Sequence, residues 1–89
     1  MHMRKPMSDK EFSLFFTPIV SAAHLHGIDS SEAKYGVIGF VKSIKAAGPE
    51  TKKWVIDGIN SKLKAIAGKQ TDFHMDMKIT LDRILQELL

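Results

Sequence analysis

Cysteine is absent from this 89-residue chain. Its absence excludes disulfide staples and thiolate chemistry and favours a reducing compartment. Arginine is scarce: Arg4 and Arg83 stand beside eleven lysines. Specific nucleic-acid readout therefore lacks its usual bidentate donor. No stretch approaches the roughly 18 consecutive apolar residues of a membrane span. Arg4 and Lys5 are followed by no apolar run before Ser8, so no signal peptide is expected either. A cytoplasmic protein with no membrane partner is the resulting expectation.

Catalytic and metal-binding patterns are missing as well. The chain holds no G-x-S-x-G, no phosphate loop and no H-E-x-x-H. Serine, histidine and aspartate occur, but no spacing brings a nucleophile, a base and an orienting group together. His24 and His26 are two residues apart, whereas ligands on one helix face need steps of three or four. In Asp72-Phe73-His74-Met75-Asp76 the two aspartates share a face and His74 points elsewhere. Asp72 is better explained as a first-turn carboxylate facing the helix N-terminus. Four short helices leave little interior volume. The chain is therefore expected to be no enzyme, to hold no metal or other cofactor and to take no small-molecule substrate.

What is present is a set of helix signals. Met1-His2-Met3 reads as a cloning remnant, leaving residues 4–89 as one helical domain. Ser8-Asp9-Lys10-Glu11 is a capping box. Phe12, Phe15, Phe16, Ile19 and Ala23 then recur at steps of three and four. The first helix is predicted over 9–26, kinked or split at Pro18, which lacks the N–H and crowds the carbonyl four residues back.

The segment KYGVIGFVKSIKAAG, residues 34–48, is the ambiguous one. Its valine, isoleucine and aromatics suit a strand. Yet Asp29-Ser30-Ser31-Glu32 is a helix start. Ala33, Val37, Phe40, Val41, Ile44 and Ala47 also follow the 3.6-residue period. A second helix is predicted over 30–47, closed by Gly48. Pro49 opens a third over 49–67 with Val55, Ile56, Ile59, Leu63, Ile66 and Ala67 as its stripe. Thr71 or Asp72 caps a fourth over 72–89, striped by Phe73, Met77, Leu81, Ile84, Leu85 and Leu88.

The fold class is thus all-α, a compact bundle of four helices. Its expected core is Phe12, Phe16, Ile19, Val37, Phe40, Ile44, Val55, Ile59, Leu63, Leu81, Ile84 and Leu88. Gly36, Gly39 and Gly58 lie inside helices, where each costs about 1 kcal/mol relative to alanine. They are expected to mark close helix crossings, so that leucine at position 39 would clash.

Charge is unevenly spread. Residues 34–69 hold eight lysines against Glu50 and Asp57. Lys34, Lys42 and Lys45 share one face of the second helix, and Lys53 and Lys64 lie on the outer side of the third, with Trp54 off its apolar stripe. Lysines interleaved with an aromatic could meet a phosphate backbone and stacked bases. They could equally meet an acidic protein or simply be solvated.

A second set of apolar residues lies outside the core stripes: Leu14, Pro18 and Leu25 on helix 1, Tyr35 and Ile38 on helix 2, Met75 and Ile79 on helix 4. A helix apolar on both sides is buried on both sides, either within the chain or against another one. The functional expectation is a non-enzymatic protein–protein interaction module, an adaptor, inhibitor or assembly subunit. It would self-associate, as a dimer, through these apolar faces. The alternative is a small basic nucleic-acid binder using the lysine-rich face of helices 2 and 3.

Overall fold

The computed structural model describes residues 5–89. The proposed remnant at residues 1–3 lies outside them. Four helices form: α1 (Asp9–His26), α2 (Ser31–Ala47), α3 (Pro49–Ala65) and α4 (Asp72–Leu88). None of them is long and apolar enough to cross a membrane, among the described residues.

The helix starts follow their caps. Ser8 Oγ accepts from the Glu11 N–H at 3.1 Å, and Glu11 Oε1 accepts in return from the Ser8 N–H at 3.1 Å, so two otherwise orphaned donors are satisfied. Ser30 caps α2 through the Ala33 N–H, and Thr71 caps α4 through the His74 N–H. Gly48 joins α2 to α3 at φ +106°, a region that L side chains rarely adopt, which explains glycine at that junction.

Helix α1 runs unbroken through Pro18, so it is not split there. The missing hydrogen bond falls on the carbonyl of Leu14, on the exposed side of the helix where water can reach it.

Packing is centred on α2 and α4, each of which meets the other three helices, with α1 and α3 flanking them. Phe16 packs on Phe40, and Gly36 faces Ile19, so α1 and α2 run antiparallel. The core comprises Phe12, Phe16, Val37, Val41, Ile44, Val55, Ile59, Leu81, Ile84 and Leu88. Three residues expected in it, Ile19, Phe40 and Leu63, are only half-buried against it. Val20 and Ala23 are buried instead. The buried line of α1 therefore steps through Phe12, Phe16, Val20 and Ala23, one position round from the expected stripe, and Phe15 is turned outward.

The interior glycines require a correction. An added Cβ on Gly39 would meet nothing within 4 Å, so no crossing occurs there and leucine would not clash. Gly39 lies on the outer side of α2, where Ser43 Oγ donates to its carbonyl at 3.0 Å. A Cβ on Gly36 would stand 3.6 Å from Ile19 Cγ2, an ordinary contact that alanine would tolerate. Gly58 does sit under a close neighbour, but the neighbour is the N-terminal arm: its Cβ would lie 3.0 Å from Met7 Sδ. Of the three glycines, Gly36 meets another helix at ordinary contact distance, Gly58 meets the N-terminal arm and Gly39 meets nothing.

Candidate docking groove between α2 and α4

A surface groove of ≈ 670 Å³ lies between α2 and α4. Its floor is Ala33, Val37 and Val41 of α2 with Thr80 of α4. Its α2 rim is Lys34, Ile38, Lys42 and Lys45, and its α4 rim is Arg83, Gln86 and Glu87.

The rim is electrostatically one-sided. The ion pairs among the described residues are His24–Asp76, Lys53–Asp57 and Arg83–Asp29. Arg83 is fixed at one end of the groove by the Ile28 carbonyl and the Asp29 carboxylate, the latter at 2.9 Å. Lys34, Lys42 and Lys45 have no ion pair among the described residues. Glu87 is the single carboxylate on the lining. The floor is buried, and the half-exposed Ile38 stands above it among three unpaired ammonium groups, an arrangement that suits an apolar side chain flanked by carboxylates.

Other singled-out residues behave differently. Trp54 is half-buried: its Nε1 donates to the Lys5 carbonyl at 2.9 Å, and Phe15 packs edge-on against it at 5.5 Å. This corrects the expectation of an aromatic free for base stacking. Lys53 is tied to Asp57 at 3.0 Å on the same helix, and Lys64 is exposed on α3, away from the groove. The structure therefore divides the expected lysine face: Lys34, Lys42 and Lys45 gather at the groove, and Lys53, Lys64 and Trp54 do not.

The expected apolar interface is divided too. Ile38, half exposed, lines the groove, whereas Leu14, Pro18, Leu25 and Tyr35 are exposed on the outer sides of α1 and α2. Met75 and the half-buried Ile79 lie on the outer line of α4. At the end of α1, His24 Nδ1 approaches Asp76 Oδ2 to 2.7 Å and its ring packs edge-on against Phe73. That pair fastens α1 to α4. No three metal-ligating side chains gather among the described residues.

Sequence reading missed the α4 wall. Thr80, Arg83 and Glu87 follow steps of three and four along the shoulder of the α4 stripe, and that spacing was visible. What the sequence does not state is that this shoulder faces Lys34 to Lys45 of α2. Comparison with protein-family models, with curated proteins and with solved structures finds no match.

Proposed function

We propose that this chain is a non-enzymatic protein–protein interaction module whose docking surface is the α2/α4 groove. The observation that supports this reading is the half-exposed Ile38 in a surface groove, set among three unpaired lysines. Burial of Ile38 supplies affinity, and the lysines select an amphipathic helix with acidic flanks. The nucleic-acid alternative loses Trp54, which is engaged by Lys5 and Phe15, and keeps Tyr35, exposed beside Lys34.

A labelled synthetic helix tests it, with leucine at heptad core positions and glutamate beside them. Its fluorescence anisotropy should rise on titration with the protein. Ile38→Asp and the triple variant Lys34→Glu, Lys42→Glu, Lys45→Glu should each lower the affinity at least tenfold. A counterpart peptide with lysine in place of glutamate should bind more weakly. No binding of the acidic peptide overturns the reading. Tight, salt-dependent binding of a mixed-sequence DNA or RNA probe in its place would favour the nucleic-acid class.

A further inference from the structure

Helix α4 has two faces with coiled-coil spacing. The inner one, Met77, Leu81, Ile84 and Leu88, packs into the core. The outer one steps by three, four, three, four and three through Asp72, Met75, Ile79, Asp82, Gln86 and Leu89. Such spacing makes a narrow seam that lies straight along a partner surface. Along this seam Met75 is 45% exposed and Leu89 79% exposed. Asp72 and Asp82 are exposed and have no ion pair among the described residues. The seam borders the groove, since Gln86 belongs to both.

We infer that the occupant of the groove is the outer seam of α4 from a second copy of this chain. The inference rests on the docking reading above and names the partner. Charge and length both match. On the seam, Asp72 and Asp82 are ten residues apart, about 15 Å along a helix, with Met75 and Ile79 between them. On the groove, Lys34 and Lys45 are eleven residues apart, about 16 Å, with the half-exposed Ile38 between them. The seam has acidic ends around Met75 and Ile79, and the groove has Lys34 at one end and Lys42 and Lys45 at the other around Ile38, so the signs are opposite.

Seam and groove adjoin on one helix, so a two-fold axis near α4 lets each copy insert its seam into the other's groove. The contact is made twice and closes as a dimer rather than growing into a fibre. Burial of Met75, Ile79 and Ile38 supplies the driving force. The exposed charge pairs are individually weak and act mainly to set partner and register.

The test is molar mass by light scattering from low micromolar to millimolar protein, followed by a charge swap. The native chain should rise from 10.0 kDa towards twice that value as concentration increases. One variant takes Lys34→Glu, Lys42→Glu and Lys45→Glu, and another takes Asp72→Lys and Asp82→Lys. Each alone places like charges in both contacts and should stay monomeric. Mixed in equal amounts they restore both contacts and should form a heterodimer. Circular dichroism confirms that both variants remain helical. A native chain monomeric at every concentration overturns the inference, and so does either variant dimerising alone. If the acidic peptide still binds a monomeric native chain, the docking reading stands without the self-pairing. If that peptide fails as well, both fall.

Discussion

The two sides of this bundle have similar residue types and opposite degrees of completion. On the side of α3 and the N-terminal arm, an aromatic pair and a methionine are engaged, and Lys53 is paired with Asp57. Trp54 holds the Lys5 carbonyl, Phe15 meets Trp54, and Met7 fills the space above Gly58. On the side of α2 and α4, apolar residues and lysines line an uncovered groove with no ion pair to Lys34, Lys42 or Lys45 among the described residues. A tryptophan beside lysines looks like a binding surface in either setting. What separates structure from function here is whether the chain already supplies the partner.

Substitutions on the engaged side should cost stability, and the largest cost should come at Trp54. Trp54→Ala removes a half-buried indole, its hydrogen bond to Lys5 and the edge contact with Phe15. A fully buried aromatic truncated to alanine loses about 3–5 kcal/mol. Being half-buried, Trp54 should lose about 2–3 kcal/mol, read from the urea midpoint at constant m-value. A loss below about 1 kcal/mol would put Trp54 on the uncompleted side. Met7→Ala should follow, at about 1–2 kcal/mol, since it empties the space over Gly58 without removing a hydrogen bond.

Local chemistry made the helices legible, and pairing made the site illegible. Ser8 with Glu11, Ser30 and Gly48-Pro49 state where helices begin and end through bonds made within four residues. Those boundaries could be read directly. Val20 was missed because Ile19 is equally apolar, and only the presence of α2 and α4 decides which of the two points inward. Trp54 looked unengaged because its partner, the Lys5 carbonyl, is 49 residues away. The groove was half visible: Lys34, Ile38, Lys42 and Lys45 share a face by periodicity alone. Arg83 and Glu87 join them only through the packing of α4 on α2. A kink or split at Pro18 was expected from the missing N–H, and the helix runs on unbroken where the freed carbonyl faces water.

Gly39→Ala sharpens the comparison in the opposite direction. The position is exposed, helical and open above its Cα. Alanine there gains helix propensity with no contact to disturb, so stability should rise by about 0.5–1 kcal/mol. For a domain of this size, that raises the midpoint by roughly 2–8 °C. A fall in Tm would restore a close approach at Gly39, one made between copies rather than within the chain.

The smallest stability effect is expected at Ile38, and it is the most diagnostic. The side chain is half exposed on the rim, so truncation to alanine loses modest burial and regains part of it through better helix propensity, leaving a net change within about 0.5 kcal/mol. If the groove docks nothing, the substitution would be silent in every measurement. If the groove is a docking surface, Ile38→Ala should leave the thermal midpoint of dilute protein almost unmoved while weakening the acidic-peptide complex several-fold. Loss of stability and affinity together would mean that Ile38 belongs to the core, and the two sides of the bundle would then be alike.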